Sequence, residues 1–185
     1  AFILQAAPRG LFKRTQVLLS AGDHVLPGLG DKMPDGTILG ARGAYGLMSP
    51  KSALNDWWWK LYSDANGVYP VQAPYRMVQA LLGLKLAVEK ATAANGGKKP
   101  NSEQLAAALK GSEWDSPAGK VRMALADGHQ AIQETAIGKT RYDAAKKMVM
   151  IDDIVRFPAE CVNPPSDMKS EDWIKDGFPG AKGCP

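Results

Sequence analysis

The sequence predicts an α/β fold, and three observations carry that prediction. Short apolar runs at Val17–Leu19 and Thr37–Ala41 are bounded by Gly, Pro and Asp, the pattern of short buried strands. A long, strongly apolar helical pattern covers 74–94. Loosely alternating segments at 130–137 and 147–155 then close the order with an antiparallel pair. Strands separated by structured connections belong to α/β sheets. They are too few for a free-standing doubly wound domain, so the expectation is a chain that supplies part of a larger α/β body.

Taken in order, residues 1–14 read as the end of a helix followed by a turn, with Pro8 interrupting and Gly10 as a stop signal. The Gly-, Pro- and Asp-rich stretch 22–36 is a loop with room for one helical turn, and Asp35-Gly36 marks its final bend. The segment 51–65 reads as a helix opened by Ser49-Pro50, with Leu54, Trp57, Trp58 and Leu61 on one face. Trp59 lies about 100° round from Trp58 and is expected on a flank or against a neighbouring subunit. In the 74–94 helix apolar residues exceed one face, the composition of a helix sandwiched inside a layered fold. Gly83 weakens that helix by about 1 kcal/mol relative to Ala, and close packing on a sheet is the expected reason for it.

Asn101 and Gln104 have the spacing of a capping box for a helix at 102–110. A turn at 116–119 leads into a strand candidate, Val121–Leu125. The final pair is expected to connect through 138–142, with a bulge at Asp152-Asp153 in the returning strand. Beyond Phe157 the chain is Pro- and Gly-rich, and only Glu171–Lys175 has helical character.

Composition narrows the function classes. The chain has 185 residues, 45% of them hydrophobic and 23% charged, which excludes a disordered chain and permits one core or two half-lobes of a larger one. The 23 basic residues are interspersed with 19 acidic ones, without the organised basic stripe that nucleic-acid binding requires. No run of 18 apolar residues and no signal peptide is visible, and the abrupt helix-like opening at Ala1 fits a mature fragment. Cys161 and Cys184 both fall in the tail. A disulfide between them would be worth about 2–4 kcal/mol and implies an oxidising compartment; two unrelated thiols are the alternative.

His24 and His129 have no metal-ligand companions at standard spacing, and HExxH, CxxC and a GxSxG nucleophile elbow do not occur. Residues 28–36 are not GxGxxG. Gly138-Lys139-Thr140 resembles the end of a phosphate-binding loop, but Gln133 stands where its first glycine is needed. Asp152 and Asp153, adjacent in a strand, point to opposite faces and form no carboxylate pair. No cofactor is expected, and a binding role is favoured over an enzymatic one. Strand ends in α/β sheets face the crevice where ligands bind, which makes Tyr45, just after the 37–41 strand, a candidate binding residue.

From Ala44 to Pro165 the chain resembles the type 1 periplasmic solute-binding proteins of branched-chain amino acid ABC importers. The resemblance is carried by AYGLMSPKSALNDWWWKLYSDANGVYPVQAPYRMVQALLGLKLAVEKA, by NSEQLAAALKGSEWDSPAGKVRM and by DGHQAIQETAIGKT, in that order. Residues 1–43 resemble a helix and strand of the second lobe of such proteins. The resemblance implies a two-lobe architecture that closes on ligand, of which this chain is the C-terminal half. Residues 1–48 would lie in the second lobe, 49–126 against the first, 127–157 in a hairpin returning to the second, and 158–185 in a tail pinned by the cysteines.

It also implies a cleft residue in the loop after the 17–19 strand, where Asp23 stands with His24 beside it, and a tyrosine, Tyr75, opening the long helix near the cleft. The function implied is extracytoplasmic, periplasmic capture of an amino acid, amide, or aromatic or other organic acid, without turnover. The partners would be a membrane permease of an ABC importer and the N-terminal half of the same protein. The absence of a clear Glu at the expected point tells against an α-amino acid. A sensory domain of the same fold, an α/β enzyme fragment acting on a small metabolite, and a structural secreted domain are the rival readings.

Overall fold

A computed structural model describes residues 1–41, 43–181 and 184–185. Two short helices, α1 (Phe2–Ala6) and α2 (Leu11–Arg14), lead into strand β1 (Leu18–Leu19). Gly10 does not end the first helix. It adopts a left-handed conformation (φ 75°) and precedes the second, so it redirects the chain. The 22–36 loop holds three short helical turns rather than one, the middle of them α3 (Leu26–Leu29). Strand β2 (Ile38–Ala41) runs parallel to β1, with Leu18 opposite Ile38 and Leu19 opposite Leu39.

Helix α4 spans Ala53–Asn66. Its N-cap is Ser52, whose side chain accepts the Asn55 N–H at 3.1 Å, so Ser49-Pro50 lies outside the helix, contrary to the sequence reading. The helix is also rotated from the expected face. Asn55 is buried and Trp58, Trp59 and Tyr62 are half-buried, while Trp57 and Leu61 are each 50% exposed. Polar bonding drives that rotation: Asn55 and Trp59 both reach the hydroxyl of Tyr75.

Helix α5 (Gln72–Ala94) is the longest element. Asn101 and Gln104 form the expected capping box on α6 (Ser102–Leu109), each side chain bonding the other's backbone N–H at 2.9 Å. An unanticipated strand, β3 (Glu113–Ser116), pairs with β4 (Gly119–Leu125) through a tight turn in which Ser116 Oγ accepts the Ala118 N–H and donates to the Gly119 carbonyl. Strand β5 (Gln130–Ile132) completes a three-stranded sheet in the order β3-β4-β5.

The expected 130–137 strand is therefore two strands. After Gln133 and Glu134 the chain joins the other sheet as β6 (Thr135–Asp143), antiparallel to both β2 and β7 (Met148–Phe157). That sheet has the order β1-β2-β6-β7. The connection placed at 138–142 by the sequence is strand; the turn follows it. There Asp143 Oδ1 accepts the N–H groups of Ala145 and Lys146, and Lys147 takes a left-handed conformation (φ 52°). The bulge falls one residue later than expected: Ile137 faces Val155 and Lys139 faces Asp152, so Asp153 and Ile154 together oppose Gly138. Glycine is required there, since a Cβ would sit 2.3 Å from Ile151 Cγ2.

The main core combines Leu26, Met33, Leu39, Met48, Tyr45 and Tyr75 with Ala136, Val149 and Ile151 from β6 and β7. The tail carries α7 (Ala159–Val162) and α8 (Ser170–Lys175). It is closed by the Cys161–Cys184 disulfide. It also buries Trp173, which packs edge-on against Phe178 and donates to the Pro179 carbonyl at 2.9 Å. The tail is thus more ordered than its composition suggests.

Helix α5 meets β3 at Gly83, where a Cβ would stand 2.7 Å from the Trp114 ring, and Trp114 Nε1 donates to the Gln79 carbonyl at 3.1 Å. Gly83→Val should therefore destabilise the fold by about 1–3 kcal/mol through overpacking against a rigid ring, seen as a lower urea midpoint with an unchanged slope. Reduction of the disulfide releases a loop whose closure is worth about 3 kcal/mol in the chain-entropy picture, and should make residues 158–185 the first site of proteolysis.

Candidate functional site

Two stretches lead the chain out of and back into the four-stranded sheet, 43–52 and 133–134, and Arg156 bridges them. Glu134 pairs with Arg156 at 2.8 Å, and the same guanidinium donates to the Ser49 carbonyl at 3.1 Å. Next to this junction, between α5, strands β4 and β5 and the start of the tail, lies a concavity of about 770 Å³. That volume lies in the range of small-molecule sites. Its wall combines Tyr45, Arg76, Gln79, Trp114, Gln133 and Asn163 with aliphatic side chains.

A buried polar row supports it. Gln79 Nε2 donates to Ser116 Oγ at 3.0 Å and to Gln133 Oε1 at 2.6 Å, and Gln133 Nε2 donates to the Tyr45 hydroxyl. Amides linked this way inside a low-dielectric wall hold one another in fixed orientation. Arg76 projects its guanidinium over the Tyr45 ring, 5.8 Å from the centroid, a cation–π distance. Among the described residues it is the one ionised side chain on this wall, and no carboxylate lines it. The surface is thus aromatic and amide-bearing with a single positive charge. Among the described residues no three His, Cys, Asp or Glu side chains are grouped to hold a metal ion.

The four sequence candidates divide. Tyr45 lines the concavity, although the residue is only 1% exposed. Tyr75 does not reach it. Its hydroxyl is turned into the core, receiving the Trp59 Nε1–H at 2.6 Å, meeting Asn55 Oδ1 at 2.5 Å and lying 3.0 Å from Ser49 Oγ. Asp23 is buried, and its Oδ2 accepts the Gln72 N–H at 2.8 Å, placing a carboxylate at the positive N-terminus of α5. In that position one carboxylate oxygen caps the helix, and Asp23 does not line the concavity. His24 is exposed on the same turn. Gln79, Trp114 and Gln133 escaped the sequence reading. The one available signal was Gln79 itself, a polar residue one turn after Tyr75 on the stripe that α5 buries.

Burial pushes the hydroxyls of Tyr75 and Tyr69 up to about 12, with the nearby Asp23 charge adding to the effect at Tyr69. Because the folded values lie above the ordinary tyrosine value near 10, the neutral phenols stabilise the fold below pH 10, and that contribution is lost as pH rises toward 12. Thermal midpoints should fall steeply in this window, with a matching rise in phenolate absorbance at 295 nm. Tyr75→Phe removes the shared acceptor of Trp59 and partner of Asn55, and should destabilise by about 1–3 kcal/mol while leaving the concavity intact.

No family model matches this sequence, and no curated protein does. Solved structures do match. A solute-binding protein of an ABC transporter from Rhodopseudomonas palustris BisB5, in complex with 3,4-dihydroxybenzoic acid, superposes with a TM-score of 0.66 at 25% identity, covering 85% of this chain and 41% of its own. An ABC-type branched-chain amino acid transporter protein from Rhodopseudomonas palustris CGA009 gives 0.64 at 24% identity, over 83% of this chain and 39% of its own. A leucine-, isoleucine-, valine-, threonine- and alanine-binding protein from Brucella ovis, in its closed conformation, gives 0.62 at 17% identity, with the same coverage. The fold is that of the type 1 periplasmic solute-binding proteins of ABC transporters, and the chain spans about two-fifths of the length of the structures it matches. No helix among the described residues is long and apolar enough to cross a membrane.

Proposed function

We propose that this chain is the C-terminal half of an extracytoplasmic solute-binding component of an ABC importer, and that it captures an aromatic or other small organic acid without chemical change. The observation that carries this reading is the isolated Arg76 guanidinium beside Tyr45 and Trp114, on a wall without a carboxylate among the described residues. A ligand carboxylate gains a charge-assisted bond from such a group. An aromatic ring gains the apolar surface around it. An α-amino acid also brings an ammonium, which requires an anion, and Asp23 does not line the concavity. Structures of this fold solved with 3,4-dihydroxybenzoic acid, 4-hydroxybenzoate and benzoate support the same ligand class.

In this reading residues 1–48 and the β6–β7 hairpin belong to one lobe, residues 49–126 to the other, and the junction at 43–52 and 133–134 is the hinge. A membrane permease then accepts the loaded, closed form. The test is calorimetric titration of the complete gene product with 4-hydroxybenzoate and with leucine. Hydroxybenzoate should bind, and Arg76→Ala should weaken it about 10- to 100-fold, the equivalent of one hydrogen bond to a charged group. Arg76→Lys should recover part of the loss, because charge is kept while the planar fork is not. Tighter binding of leucine than of hydroxybenzoate would reverse the ligand assignment, and a new ligand resonance appearing with time would move the protein to the enzyme reading.

A further inference from the structure

The disulfide-closed tail enters the concavity's wall. Val162, the last residue of α7, and Asn163, which follows it, both line the cavity. The stretch that carries them is tied down on each side. Glu160 pairs with Arg122 of β4 at 2.5 Å, and Cys161 is bonded to Cys184. The ion pair is exposed to water and contributes little energy; the covalent bridge is the firm tie. Asn163 precedes Pro164, and a residue before proline is driven to extended backbone. Its φ of −134° and ψ of 150° end the helical turn. Pro164 and Pro165 then stiffen the exit.

The Asn163 carboxamide is only half committed. Its Nδ2 donates to the Ala159 carbonyl at 2.8 Å, which orients the group. Its Oδ1 has no hydrogen-bond partner among the described residues. An amide oxygen accepts and never donates, whereas a guanidinium only donates. The cavity therefore has two unlike polar groups on two of its walls. Arg76, on α5, offers a cation to a carboxylate. Asn163, on the tail, offers an uncharged acceptor to a hydroxyl. Between them Gln79, Gln133 and the Tyr45 hydroxyl are bonded to one another.

We propose that Asn163 is a specificity-determining residue: its Oδ1 accepts a hydrogen bond from a ring hydroxyl of the ligand while Arg76 holds the carboxylate, and the Cys161–Cys184 bridge sets its position. The proposal rests on the aromatic-acid reading above and deepens it, since it selects hydroxylated over unsubstituted aromatic acids. A ring hydroxyl placed at this wall without an acceptor loses its bond to water and gains nothing in return.

The test is the ratio of the Kd for benzoate to the Kd for 4-hydroxybenzoate, measured by calorimetry on the complete gene product. The wild type should favour 4-hydroxybenzoate by about 3- to 10-fold, the net effect of one hydrogen bond. Asn163→Ala should bring the ratio to about 1 or below while benzoate affinity stays within about 2-fold, because benzoate has no hydroxyl to lose. Asn163→Asp keeps an acceptor at the same place; its charge should weaken both acids and leave the preference intact. The Cys161→Ser/Cys184→Ser double variant should lower the ratio with Asn163 still present. Equal affinities in the wild type, a loss in Asn163→Ala shared equally by both acids, or an unchanged ratio in Asn163→Ala overturns the assignment and leaves the ligand class standing. An unchanged ratio in the double variant overturns the role of the bridge. If the wild type binds neither acid, the aromatic-acid reading fails and the assignment falls with it.

Discussion

The Tyr75 hydroxyl is the contact on which the arrangement of this chain depends. It gathers Trp59 and Asn55 from α4 and Ser49 from the connection out of β2, and it does so in the interior. A buried hydroxyl without partners is costly, and the Trp59 Nε1–H and Asn55 Oδ1 would lose their partner without it. The cluster therefore holds α4 and α5 against the strand end from which both descend. Tyr45, whose ring lies 5.8 Å from that of Tyr75, extends the same cluster to the concavity. The rotation of α4, with Trp57 outward and Trp59 inward, follows from this polar demand and not from the helix's apolar periodicity.

From that anchor the site acquires its character. Asp23 fixes the start of α5 by accepting the Gln72 N–H, which sets where Arg76, one turn later, projects. Gln79, a further turn on, ties the helix to β3 through Ser116 and to the sheet junction through Gln133. One helix thus carries a core hydroxyl, a surface cation and a buried amide in succession. The Asp23 carboxylate lies at the helix start and outside the concavity, whose wall among the described residues carries a positive charge only. The electrostatics of the proposed ligand follow from that division of labour.

Much of the architecture was legible in the sequence because the signals were local. The Asn101–Gln104 capping box, the two short strands and the long helix each arise from a few neighbouring residues with one favourable geometry. Gly83 announced a close approach, and Trp114 makes it. The errors have physical sources as well. Strand β3 was missed because Glu113-Trp114-Asp115-Ser116 has one large apolar residue and takes its strand conformation from pairing with β4. The β6–β7 turn was misplaced because Gly138 looks like a turn residue, whereas its missing side chain is needed to face a bulge within the sheet.

By itself, then, the sequence determined the class of fold, the order of most of its elements, and Tyr45 as a residue near a strand end, where it lines the concavity. It also contained the cysteine pair, whose joining needed only a shared tail. The tertiary structure decided which way the polar side chains are spent. Asp23 and Tyr75 read equally well as ligand contacts or as structural partners while their neighbours in space are unknown, since the Gln72 N–H lies 49 residues from Asp23 and Asn55 lies 20 from Tyr75. Long-range hydrogen bonds have no sequence period, and they are what separates a carboxylate that holds a helix from one that meets a ligand.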